Sequence, residues 1–177
     1  MKNINDTQKN DETAKKMLYF LIFLVLPFLL LLVIYLHDTH SQGLSAIAIN
    51  TAFLPAITSA NNPLLSKVMD VYCKTAPLCS LVFSLFSYQN MSVNKQTSSI
   101  VLIANLLLFI ILCVALTVIF LFTNIELTSS RRILKLASSN DYTLTLFYTI
   151  LYSCFYVLYC CLFWAFIGIC KIIKSRR

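Results

Sequence analysis

Asp70 and Lys74 stand four residues apart in the stretch NPLLSKVMDVYCKTAP, residues 62–77, with Lys67 one turn earlier. On a helix that spacing puts acid and base on one face, the acid N-terminal to the base, where they can pair. Pairing matters in a chain that is 59% hydrophobic and only 12% charged. A lone lysine deep in a bilayer costs on the order of 3 kcal/mol, whereas one near a helix end lifts its ammonium to the interface. The three charges therefore read first as anchors for the outer end of a membrane helix.

Other reactive residue types give less. His37 and His40 flank Asp38 in HDTH, a donor set that suits a divalent ion, but one isolated cluster without supporting groups reads as a polar loop. Seven cysteines are an odd number, and Cys113, Cys154, Cys160, Cys161 and Cys170 lie in apolar runs where cysteine packs as a small hydrophobe. Cys73 and Cys79 fall near the expected outer face. A quinone-linked disulfide oxidase needs two exposed pairs of reactive thiols, and the second long loop, residues 124–143, has no cysteine. No G-x-S-x-G, phosphate-cradling glycine loop or H-E-x-x-H occurs. The expectation is a protein that is not an enzyme, without catalytic residues, cofactor or metal, and without nucleic acid or a small-molecule substrate as partner.

The elements that hold these residues are membrane helices. Mean hydropathy is +0.79 and the 177 residues include only two glycines, which places the chain in the integral membrane class. The run MLYFLIFLVLPFLLLLVIYL, residues 17–36, can cross a core of about 30 Å, and it exceeds a signal-peptide core with no cleavage site after it. Residues 98–123 and 143–170 are two further spans. The segment from residue 67 to 88 is long enough only if Asp70 or Lys74 sits at or within the interface. Charge bias decides the count, because Lys2, Lys9, Lys15 and Lys16 at one end and Lys171, Lys174, Arg176 and Arg177 at the other both favour the cytoplasm. An even number of crossings follows. The expected fold class is an all-α integral membrane protein with four transmembrane helices (about 17–36, 67–88, 98–123 and 143–170) and both termini cytoplasmic. Residues 1–16 and 171–177 form polar and basic tails around the 17–170 domain.

This topology leaves a short inner turn at NMSVNKQT, residues 90–97, and two outer loops. The first, residues 37–66, is broken by Asn50, Pro55, Asn61, Asn62 and Pro63 and reads as a surface-hugging loop. The second carries Glu126 and the basic residues Arg131, Arg132 and Lys135. In RRILKLA the charges alternate with Ile133, Leu134 and Leu136, a pattern that suits a short helix lying on lipid.

NPLLSKVMDVYCKTAP also closely resembles the corresponding segment of the immunity proteins for pore-forming colicins of the colicin A type. LPAITSANNP before it (residues 54–63), IELTS (125–129) and SNDYTLTLFYTILYS (139–153) are similar in the same order and at about the same spacing. The resemblance covers most of the chain from Met17 onward. It departs after IELT, where SSRR replaces a less charged, glycine-containing stretch, which leaves the cognate toxin open. It implies four helices in the bacterial inner membrane. It also implies a function: binding the pore-forming domain of a cognate colicin in the bilayer before a conducting pore opens. A small channel or holin-like transport protein is the alternative. That reading wants polar residues along a path through the bilayer, whereas here, apart from Asn105 and scattered serines and threonines, they cluster at helix ends.

Two stripes run along the last helix. Tyr148, Tyr152, Tyr156, Tyr159, Phe163 and Phe166 recur at steps of three or four, and Cys154, Val157, Cys161, Ala165 and Gly168 lie roughly opposite. Small residues let helix backbones approach in lipid. The expectation is that the small stripe docks on the protein's own bundle and the aromatic stripe receives the toxin. The candidate toxin-binding residues are Lys67, Asp70, Tyr72, Lys74, Tyr148, Tyr152, Tyr156 and Tyr159.

Overall fold

Apolar runs of this length have one low-energy backbone in lipid, the helix, which satisfies every amide internally. The computed structural model describes residues 2–88, 99–129 and 132–176. In chain order the elements are α1 (Lys2–His37), α2 (Gln42–Asn50), β1 (Ile57–Thr58), α3 (Pro63–Cys73), α4 (Ala76–Ser87), α5 (Ser99–Phe122), β2 (Ile125–Glu126), α6 (Arg132–Ala137) and α7 (Asp141–Arg176). Among the described residues three helical stretches are long and apolar enough to cross a bilayer, Asp11–His37, Pro63–Ser87 and Asp141–Ile172, and α5 supplies a shorter apolar stretch, Leu106–Phe122. The expected inner turn at residues 90–97 lies outside the described residues, as does Arg131.

The helix expected at 67–88 is two helices. Pro63 starts α3, where its missing N–H costs nothing. Pro77 falls in the first turn of α4 and cannot donate to the Cys73 carbonyl, so the chain stops and restarts at Lys74 and Thr75. Thr75 closes the break by donating its amide (3.0 Å) and hydroxyl (2.7 Å) to the Tyr72 carbonyl. Ser80 donates its hydroxyl to the Pro77 carbonyl at 2.7 Å. Pro27 interrupts the hydrogen-bond ladder of α1, and in the turn before it the Tyr72 hydroxyl donates to the Leu24 carbonyl at 2.9 Å.

Two features were not expected. The loop after α1 contains α2, whose first turn is capped by Ser41 accepting from the Leu44 amide. An all-α chain also proves to hold one small parallel β pair. Ile57 faces Ile125 and Thr58 faces Glu126, with the Leu127 amide donating to the Thr58 carbonyl at 2.9 Å. Strands of two residues carry no periodicity that could be read beforehand.

The chain divides into two packing units. The unit formed by residues 24–76 and 116–154 buries Phe28, Leu32, Leu44, Leu65, Met69, Leu127 and Leu144. The unit formed by residues 1–23, 77–115 and 155–177 buries Phe83, Cys113 and Cys160. Large apolar side chains cover the outside, among them Leu18, Ile22, Phe23, Leu29 and Leu30 of α1 and Leu107, Leu108 and Ile111 of α5. A face this apolar is unusual on a protein surrounded by water and is the normal lining of a lipid-facing one.

Candidate functional site

In the unit of residues 24–76 and 116–154, the segment 54–62 is laced to the surrounding helices almost residue by residue. Lys67 reaches from α3 to the Leu54 carbonyl (2.6 Å) and Lys74 to the neighbouring Pro55 carbonyl. The Ala56 amide donates to Asn124 Oδ1 (3.0 Å), and the Ile57 carbonyl accepts from the Tyr148 hydroxyl of α7 (2.5 Å). Ser66 accepts from the Ser59 amide (3.0 Å) and Thr128 from the Ala60 amide (3.4 Å). Asn61 donates to the Ser138 carbonyl (2.9 Å), and Asn62 donates to Asp141 while accepting from Tyr35 (3.3 Å). The segment has little regular structure to satisfy its own backbone, so side chains from three other parts of the sequence, α3, residues 124–128 and α7, do much of it.

The charges follow from this lacing. Asp70 is fully buried and holds Lys74 at 2.8 Å, fixing the ammonium where it meets the Pro55 carbonyl and the Phe120 ring, 5.8 Å from its centroid. A buried ion pair adds little net stability, but removing one partner typically costs about 3–5 kcal/mol because the other charge is stranded. The expected pairing of Asp70 with Lys74 is present. Its role is to hold a loop, which goes beyond anchoring a helix end.

Beneath this layer Tyr72 and Tyr152 stack at 5.3 Å with planes 6° apart, and Phe28 meets both edge-on at 4.9 and 5.5 Å. Cys73 donates to the Tyr148 carbonyl at 3.4 Å. In the other unit Phe20, Phe83 and Tyr156 form a ring cluster that Trp164 joins through Phe83. Tyr148, Tyr152 and Tyr156 are each 0% exposed, whereas Cys154, Cys161 and Ala165 lie at the surface. Tyr148, Tyr152 and Tyr156 of the aromatic stripe thus pack inside the protein, where the expectation had them receive a partner, while Tyr159 and Phe163 are half-buried and Phe166 is exposed. The edge-to-face contacts that Phe28 makes with Tyr72 and Tyr152 are a geometry aromatic rings favour. Of the small stripe, Val157 and Gly168 are half-buried.

The remaining candidates lie on or near the surface. Tyr159 is half-buried against Phe163, with rings 6.2 Å apart. Glu126, Arg132 and Lys135 are exposed, and α6 presents Ile133 at 81% and Leu136 at 67% exposure. The helix expected in RRILKLA is there. In HDTH the Asp38 carboxylate accepts from the His40 amide at 2.9 Å, a local turn between two exposed histidines. Among the described residues no three potential ligands come together to hold a metal. All seven cysteines are free thiols. Sequence reasoning missed Tyr35, Asn61, Asn62, Ser66 and Asn124. Their one signal was a cluster of amides at the edge of an apolar chain, where each needs a partner.

The four sequence segments singled out above, 54–63, 62–77, 125–129 and 139–153, are the ones that this lacing joins. The molecule is thereby a helical membrane protein whose most elaborate feature is a clasped loop, and it belongs to the colicin immunity protein family, whose model matches residues 40–177. The chain is 35% identical over 179 aligned residues to the colicin-A immunity protein of Citrobacter freundii, covering all of both chains. It is 29% identical over 150 residues to the colicin-B immunity protein of Escherichia coli, covering 84% of this chain and 86% of that one. It is 33% identical over 79 residues to the colicin-N immunity protein of Escherichia coli, covering 45% and 60%. No solved structure matches.

Proposed function

We propose that this protein protects a cell from a pore-forming colicin by binding the toxin's pore-forming domain within the inner membrane, so that no conducting channel opens. The observation that carries this reading is likeness along the whole chain to a colicin immunity protein, on a molecule whose long helices are apolar over their outer faces. The task is stoichiometric binding and calls for no reaction. The topology is four crossings with both termini in the cytoplasm. The 24-residue α5 serves as the third crossing, and the basic residues at both ends of the chain favour that orientation. Residues 54–62 and 124–140 then form the periplasmic face, with α6 lying on the lipid through Ile133 and Leu136.

Of the candidate toxin contacts among the described residues, Glu126, Arg132, Lys135 and Tyr159 can be reached without opening the chain. Lys67, Asp70, Tyr72, Lys74, Tyr148, Tyr152 and Tyr156 contribute by fixing the shape that the toxin meets. Expression in a sensitive strain challenged with a panel of pore-forming colicins tests the function. Spheroplasts exposed directly to the effective toxin should keep their membrane potential, and depolarisation as fast as in control spheroplasts would place protection at uptake instead.

A further inference from the structure

In the unit of residues 1–23, 77–115 and 155–177, a cavity of about 500 Å³ opens between α4, α5 and α7. Its walls include Leu81, Leu85 and Tyr88 on one side, Ile110 on another, and Phe166 and Cys170 on the third, and no polar surface faces it. Leu85, Phe166 and Tyr88 are 67%, 57% and 44% exposed, so it is a groove open along its length. From Leu162 to Cys170 it follows α7 for about 12 Å at 1.5 Å per residue. Water gains nothing in such a groove, because a buried water needs polar partners.

The groove has one charged end. Lys171, next to Cys170, donates to the Tyr88 carbonyl at 2.5 Å and lies over the Tyr88 ring, 4.6 Å from its centroid. Tyr88 and Cys170 both line the groove, so this contact holds the ammonium at its mouth, at the end of α7 where the basic run KIIKSRR begins. An apolar trough ending at a fixed positive charge suits the headgroup-proximal part of one acyl chain with an anionic phosphate at its head.

We propose that this groove is a binding site for an anionic phospholipid, with one acyl chain lying between α4 and α7 and its phosphate held by Lys171. None of the residues that line it belongs to the clasped segment 54–62. Lys171 anchors the headgroup by charge, and the Tyr88 contact keeps that charge in place when the groove is empty.

Trp164, the chain's single tryptophan, does not line the groove but follows the lining residue Phe163 on α7 and packs against Phe83 with rings 6.2 Å apart, so it serves as a nearby reporter. The full chain is reconstituted in phosphatidylcholine vesicles containing graded fractions of phosphatidylglycerol whose acyl chains carry bromine, a short-range quencher of indole fluorescence. Brominated phosphatidylcholine in the same fractions is the reference. The anionic lipid is expected to quench Trp164 with about fivefold preference, the equilibrium ratio for one lysine at an anionic surface. Lys171→Gln, which removes the charge, and Cys170→Phe, which fills the trough, should each bring the preference close to one. Equal quenching by both lipids in the native chain overturns the site and leaves ordinary lipid contact. A preference that survives either substitution also overturns it, because the basic tail alone would then attract the lipid. The native comparison stands by itself if either variant fails to accumulate. Because the readout involves no toxin, failure here leaves the colicin reading untouched.

Discussion

Tyr148 donates a 2.5 Å hydrogen bond to the carbonyl of Ile57, a residue 91 positions earlier in the chain. Tyr148 is fully buried, so the bond is made in a dry place and joins α7 to the segment between α2 and α3.

Tyr148→Phe keeps the ring and removes the donor. A buried carbonyl left without its partner costs about 1–3 kcal/mol. The variant should melt at lower temperature in detergent and accumulate less, with protection falling in proportion to abundance. Normal abundance with lost protection would instead make the hydroxyl a toxin contact.

Asp70→Asn strands Lys74 and should cost about 3–5 kcal/mol. The double variant Asp70→Asn with Lys74→Met removes the stranded charge and should recover part of that loss, although the Pro55 carbonyl stays unserved. Membrane-fraction blots of the single and double variants measure the difference. A double variant worse than the single one would show that Lys74 acts mainly through the loop.

Reversing Arg132 and Lys135 to Glu changes the exposed face of α6 without touching the buried layers. Abundance should stay within about 0.5 kcal/mol of native stability, as for most surface changes. Protection should fall by several-fold against the cognate toxin, read from killing curves at matched expression. Unchanged killing curves would remove α6 from the toxin interface.

Cys161→Leu and Ala165→Leu enlarge residues on the outward face of α7. Both variants should accumulate at native levels, because lipid accommodates the added carbons. Loss of either protein from the membrane would mean that this face packs on another protein surface.

Reporter fusions test the four crossings. A cytoplasmic reporter joined after Arg177 should be active, and a periplasmic reporter should be active within residues 37–66. Periplasmic activity after Arg177 would return the count to three.

That the chain is mostly apolar helix was legible because about 20 apolar residues in a row have few other uses, and the Asp70–Lys74 pair was legible from spacing alone. What those charges hold was not. The carbonyls of Leu54 and Pro55 are the same in every peptide, so nothing in the letters marks them as targets. The stop at Lys74 was half visible: Pro77 announced trouble, but only the Thr75 hydroxyl on the Tyr72 carbonyl shows the chain ending one helix and beginning another. The orientation of α7 was misread because two stripes of side chains fix which residues share a face but not which face turns inward. Ring size decided it, through partners such as Phe28 and Tyr72 that lie far off in sequence.

The lacing of residues 54–62 also sets a clock. Ile57 is held by Tyr148, Asn62 by Asp141 and Asn61 by Ser138, all of them 77 to 91 residues further on. At about 5–20 residues per second, the ribosome takes roughly 5–18 s to travel from Ile57 to Tyr148. Through that interval Lys67, Lys74 and Ser66 of α3 can already hold part of the segment, but the Ile57 carbonyl waits for Tyr148 and the clasp stays unfinished. If the clasped segment shapes the surface a toxin meets, as proposed above, a newly made copy offers that surface only once α7 is complete, so a cell under attack is guarded by the molecules it finished earlier.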